Sequence, residues 1–290
     1  MTSLFLTDID FGILRGLASF RYMSVAQFIR AEIARDTKHL RERLARLLNA
    51  KLIARTDKAF DRAQNIGVPC LHYLTQKGAD LLNEDDRFNV KAPSRRMTAF
   101  DDIPHRVGVV DVHLAFDQWA RATDTEVHGV WRYFEGAARE ADQPPKQATA
   151  FTWESWDDGT EFGEAGKLVP DLMALFQRRN DTEARGVIFE YERGGRSGTP
   201  NHFLAKVMHY HDAISAGAAE KHLKIRTGVY IAVVFSTQKM LDEVIRKWPD
   251  SKSPIWKNRV FLKARTLDGS FAKGWVTPEG NMTNLFSINP

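Results

Sequence analysis

The chain has 290 residues, 43% of them hydrophobic and 27% charged, with a formal net charge of +4. That balance excludes wholesale disorder, suits two modest domains with real cores, and admits a polyanionic partner without requiring one. The single cysteine, Cys70, excludes an intramolecular disulfide and a cysteine-rich zinc site, as expected in a reducing cytoplasm.

In chain order, residues 7–20 place Ile9, Ile13, Leu14 and Leu17 at helical spacing, with Thr7 or Asp8 as N-cap. A second helix is predicted over 23–33, opened by Ser24, with Val25, Phe28 and Ile29 on one face. A third covers 37–49, where Leu40, Leu44, Leu47 and Leu48 form the apolar stripe and Lys38, Arg41, Arg43 and Arg46 occupy the remaining surface. Two short strands follow, 51–55 and 68–75, joined by a polar loop containing Gly67. Three helices and then two strands is the order of a winged helix, a helix-turn-helix variant that docks on DNA. A further helix over 75–82 completes a domain assigned to residues 1–83.

Residues 84–104 are polar, carry Pro93, Arg95 and Arg96, and read as a linker. Beyond it, over 105–290, come a helix (105–121), an aromatic-rich strand (127–134) and a loop marked by Pro144-Pro145. Strands over 168–176 and 186–192, a helix over 201–215, a strand over 228–235 and a helix over 239–248 follow. The second domain is therefore expected to be mixed α/β, a sheet flanked by helices. The longest apolar stretch, 229–235, is too short to span a bilayer, and residues 1–14 lack the basic segment of a secretory signal. A cytoplasmic protein with no membrane partner is expected.

A major groove admits one helix, and Lys and Arg on its exposed face supply phosphate affinity. Arg35, Lys38, Arg41, Arg43, Arg46, Arg55 and Lys58 are the candidate contacts to double-stranded DNA. The competing reading is a solvated basic face on a helix that only packs; its third place in a winged-helix order favours recognition.

In the second domain, Pro170-Asp171 and Glu190-Tyr191-Glu192 carry the chemistry. Along 186–192, Val187, Phe189 and Tyr191 point one way and Ile188, Glu190 and Glu192 the other. Two carboxylates on one face of so apolar a strand are costly unless paired, hydrated or bound to metal. With Asp171 on the neighbouring strand they offer oxygen ligands suited to Mg²⁺ or Mn²⁺. The competing reading pairs them with Arg193 or Arg196 at a sheet edge. Asp111 is either a further acid or a helix-surface carboxylate.

The order Pro170-Asp171, Glu190-x-Glu192 and then a helix with Lys206 resembles the PD-(D/E)xK nuclease fold. With Leu6-Thr7, Leu74-Thr75-x-x-Gly78-Ala79 and His105, it is similar to the plasmid replication-relaxation family, to which MobC-type mobilisation relaxases are related. The resemblance implies a winged helix that recognises origin-like, supercoiled DNA, joined to a restriction-endonuclease-like domain that nicks it. Asp171 and Glu190 would hold the metal. Glu192 stands where the nuclease pattern has lysine, so Glu192, or Lys206 on the following helix, would orient the attacking water. The alternatives are a non-catalytic replication or transcription factor whose second domain dimerises or binds a partner, and a regulator that senses a small molecule in an apolar pocket.

Other motifs carry less. His209-Tyr210-His211 has the spacing of a metal-binding pair, but on a helix residues two apart diverge by roughly 200°. Residues 163–167 lack the spacing of a P-loop, and no nucleophile elbow is visible. The aromatics Trp131, Tyr133, Phe134, Trp153 and Trp156 suit stacking on bases or, more commonly, a core. Tyr191 and Tyr210 lie near the acidic residues, with no role assigned.

Overall fold

The computed structural model describes residues 5–56, 59–61, 66–85, 89–93, 102–134, 148–154, 165–193, 200–248, 259–265 and 271–286. The chain packs as two units, Met1–Leu114 and Ala115–Pro290.

The first unit begins with α1 (Asp8–Phe20). Its N-terminus is tied by Thr7, whose backbone N–H and hydroxyl both donate to Asp10, at 2.9 and 3.0 Å. Helix α2 (Val25–Arg30) starts at a capping box in which Ser24 and Gln27 satisfy each other's backbone N–H groups. It ends three residues before the predicted 33. Glu32 takes a left-handed φ of 59°, and the N–H groups of Glu32 and Ile33 close back on Ile29 and Phe28. This is a Schellman stop made without glycine, which is why composition did not mark it. Helix α3 (Thr37–Asn49) has the expected bounds, is capped by Asp36, and stops the same way at Lys51, φ 58°.

Strand β1 (Ile53–Arg55) pairs antiparallel with β4 (His72–Leu74), and between them β2 (Ala59–Asp61) pairs antiparallel with β3 (Ile66–Val68). Helix α4 (Gln76–Asn83) follows, and the quoted Leu74-Thr75-x-x-Gly78-Ala79 segment explains its seat. Thr75 caps the helix by accepting from Gly78 N–H at 3.2 Å, and its hydroxyl donates to the Lys51 and Leu52 carbonyls at 2.6 and 3.0 Å. Gly78 lies so close to the Leu52 backbone that a Cβ there would sit 2.0 Å from its carbonyl oxygen. In the predicted linker, Val90 is pinned to Asn83 by two hydrogen bonds of 2.7 and 2.8 Å and packs against the helical core. That core gathers Ile13, Leu14, Phe28, Leu40, Leu47 and Leu114, all buried. Each such side chain contributes about 1.5–3 kcal/mol.

The unit boundary falls inside α5 (Asp102–Ala122), a helix longer than the predicted 105–121. In the second unit, β5 (Glu126–Arg132), β8 (Leu172–Gln177), β9 (Arg185–Glu192), β10 (Val229–Phe235) and β11 (Val260–Ala264) form one sheet with β12 (Trp275–Val276) and β13 (Met282–Thr283), in the order β13-β12-β11-β10-β9-β8-β5. Strands β9, β10 and β11 run parallel, whereas β5–β8 and β8–β9 are antiparallel, so the sheet is mixed. The single strand predicted over 168–176 is two. Strand β7 (Ala165–Leu168) pairs with β6 (Phe151–Glu154), and the chain changes sheet at Pro170, which has no N–H to give a ladder.

The expected alternation on β9 holds. Ile188 joins Phe203, Val207 and Tyr210 of α6 (Pro200–Ser215) and Met240, Leu241 and Val244 of α8 (Gln238–Arg246) on one face of the sheet. On the other, Phe189 meets Phe116 of α5 at 5.5 Å between ring centroids, and Phe176 meets Trp119 at 5.7 Å. Helix α7 (Ala218–Leu223), β6 and β11–β13 carried no sequence signal strong enough to be predicted. No helix among the described residues is long and apolar enough to cross a membrane.

Candidate functional site

The predicted basic residues fall into different environments. Leu40, Leu44 and Leu47 bury one side of α3, and at about 100° per residue Lys38 falls on the opposite side and Arg41 on the flank, both exposed. Arg35, just before the helix, and Arg55, at the end of β1, are exposed as well. Arg43 turns inward instead and pairs with the buried Asp10 at 3.3 Å. Arg46 is exposed and donates to the Phe5 carbonyl at 3.1 Å. Lys58 lies outside the described residues.

Asp111 is not a surface carboxylate. It is buried in the first unit, where it accepts from the Gln27 amide at 2.8 Å and from the Arg30 guanidinium.

The acidic residues of the second unit do come together. The register pairs Leu172 with Phe189, so Asp171, one residue before β8, stands beside Glu190. Its carboxylate accepts from the Tyr191 N–H at 2.9 Å, which fixes its direction. Glu190 and Glu192 project from β9 toward α6, and Lys206 reaches across to both. Its ammonium donates to one Glu190 oxygen and lies 3.8 Å from Glu192. Tyr210 donates its hydroxyl to the other Glu190 oxygen. Lys206 and Tyr210 are four residues apart, hence on one face of α6, the face that also buries Phe203 and Val207. Tyr210 is the site residue to which sequence reasoning gave no role, and its four-residue offset from Lys206 was the available signal. Tyr191 faces the other side of the sheet, where its hydroxyl accepts from Arg265 at 3.3 Å. His209 and His211 lie on α6, so the two rings diverge as expected of a helix.

Burial sets the electrostatics. The Glu190 side chain is 0% exposed and Lys206 26%. Burial pushes the Glu190 carboxyl up to about 8 against the pull of the Lys206 ammonium, and the charges of Asp171 and Glu192 add to the rise. Burial works against the ammonium too, but Glu190, Asp171 and Glu192 outweigh it and hold Lys206 above the usual lysine value. Burial and the adjacent Glu190 keep the Tyr210 hydroxyl protonated, well above its ordinary value. Among the described residues the Lys206 ammonium thus meets two of the three carboxylates, Glu190 and Glu192, directly.

A donor set made of carboxylate oxygens fits a hard divalent cation such as Mg²⁺ or Mn²⁺. Among the described residues no three His, Cys, Asp or Glu side chains meet at metal-binding spacing. Mg²⁺ asks for less, because it is commonly held by one or two carboxylates, waters and substrate phosphates. Asp171 and Glu190 would be those two ligands.

A family model described as Replication-relaxation matches residues 14–229, from the first helix through the start of β10. Neither a curated protein nor a solved structure matches the chain.

Proposed function

The chain belongs to the replication-relaxation family, and on that premise we propose that it is a site-specific, metal-dependent DNA nickase acting in plasmid replication or mobilisation. The observation that carries this reading is the placing of Asp171 beside Glu190, with Glu190 and Glu192 both meeting Lys206, a lysine supplied by the helix after the acidic strand. In that reading the second unit is a PD-(D/E)xK-type domain with its lysine moved to α6, and kinship with MobC-type relaxases follows. The first unit acts as a winged helix, with α3 entering the major groove of duplex, supercoiled origin DNA and β2–β3 as the wing. A homodimer would present two such helices to paired half-sites.

When bound, Mg²⁺ or Mn²⁺ would polarise the scissile phosphate and lower the pKa of a water. Asp171 and Glu190 would hold the ion, with Asp171 aimed by the Tyr191 N–H and Glu190 held in one rotamer by the Tyr210 hydroxyl. Lys206, beside Glu192, would orient the attacking water and offset charge building on the phosphate. Conversion of supercoiled to open-circular DNA with Mg²⁺ or Mn²⁺ tests the proposal. Asp171→Ala and Glu190→Ala should abolish it and leave the gel shift of duplex DNA intact; cleavage that survives both substitutions refutes it.

One observation favours a second reading. The Lys206 ammonium and the Tyr210 hydroxyl already satisfy both oxygens of Glu190, as in a purely structural pair. The protein would then be a non-catalytic replication factor, and no metal or supercoiled substrate would elicit cutting.

A further inference from the structure

The β8–β9 hairpin carries acids at one end and arginines at the other. Its turn reads Arg178-Arg179-Asn180-Asp181, and Arg185 opens β9. Asp181, 9% exposed, takes two guanidinium forks. Arg178 donates at 2.9 and 3.0 Å, and Arg185 lies at 3.0 and 3.3 Å. The remaining terminal nitrogens are anchored too: Arg178 donates to the Phe286 carbonyl and Arg185 to the Tyr230 hydroxyl, both at 2.6 Å. The Arg178 hydrogen bonds hold the Asp181 carboxyl below its ordinary range, so it remains ionised and keeps both forks in place.

Two rigid guanidiniums on one carboxylate leave positive charge unmatched. They line a recess of about 780 Å³ with Trp119, Thr125 and Arg179. Arg179 is 78% exposed, and its 3.4 Å pairing with the equally exposed Asp124 is a weak surface contact that an incoming anion can displace. Guanidinium N–H groups already fixed in place bind phosphate oxygens with little ordering cost. The volume suits a small organic ligand rather than a bare ion.

We propose that this recess binds the phosphate group of a nucleotide, free or within a nucleic-acid strand, at a place separate from the acidic cluster. From Arg185 to Glu190 is five residues of extended strand, roughly 17 Å, so the two sites do not share one phosphate. Calorimetric titration of the full chain at low salt, with inorganic phosphate and then a deoxynucleoside monophosphate, tests this. Saturable binding is expected, tighter for the nucleotide and weakened at least about tenfold by Arg179→Glu, whose exposed position spares the fold. Arg178→Lys, confirmed folded by circular dichroism, keeps the charge but loses the fork and should weaken binding as well. Displacement of the nucleotide by a short single-stranded oligonucleotide would assign the phosphate to a strand, and its retention to a free nucleotide. The proposal is overturned if neither probe binds saturably, or if both variants bind as the wild type does.

Discussion

Replacing Glu190 by glutamine keeps the shape of the side chain and one accepting oxygen for Lys206, with the amide N–H left to donate to the Tyr210 hydroxyl, but removes the ionisation. In the folded protein burial raises this carboxyl from an ordinary 4.5 to about 8. A carboxyl held above its ordinary value stabilises the fold below that ordinary value, and the stabilisation is lost as pH climbs through the folded value. Between those limits the folded chain keeps a proton that the unfolded chain releases, at up to about 1.4 kcal/mol per pH unit. Glu190→Gln has no such dependence. Its melting temperature should therefore rise relative to wild type as pH goes from 5 to 8, by up to about 3–6 °C per unit for a domain of this size. Thermal melts in chelator at four pH values across that range measure the gap directly. A gap that stays constant, or narrows with pH, would mean that Glu190 is ionised throughout, and that burial does not raise its carboxyl.

Two further outcomes follow from the first unit. Lys38→Ala with Arg41→Ala, both exposed on α3, should leave stability within about 0.5 kcal/mol. The same pair should weaken duplex binding and flatten its salt dependence by up to about 2 in log–log slope, measured by fluorescence anisotropy; an unchanged slope would remove α3 from the interface. Gly78→Ala should destabilise by about 1–3 kcal/mol or more in urea titrations, because its Cβ would collide with backbone rather than a yielding side chain; a neutral outcome would show that the contact of α4 with the Leu52 backbone is looser than described.

The helices of the first unit were legible because their apolar residues repeat at helical spacing, and Thr7 and Ser24 sit at the starts of the first two. The end of α2 was less so, since Glu32 adopts the left-handed conformation that sequence reading assigns to glycine. Strand β9 declared its two faces through alternation, and with them the direction of Glu190. The break at Pro170 was misread as continuous strand, although a proline without a donor was the marker. Short strands such as β12, of two residues, carry no period to detect. At the site, alternation on β9 marked the acids and family pattern marked Lys206; Tyr210 carried only its four-residue offset from Lys206, and the inward turn of Arg43 depends on packing that no local pattern encodes. The same holds for Asp111, whose partners Gln27 and Arg30 lie more than 80 residues away.

The most direct test of the central claim is a calorimetric titration of Mn²⁺ above pH 8, where Glu190 is ionised, with and without duplex DNA. Wild type should bind saturably, and Asp171→Asn and Glu190→Gln should each weaken that binding by at least about tenfold. Absence of saturable binding under both conditions, or equal binding by the variants, would contradict a metal site at these residues.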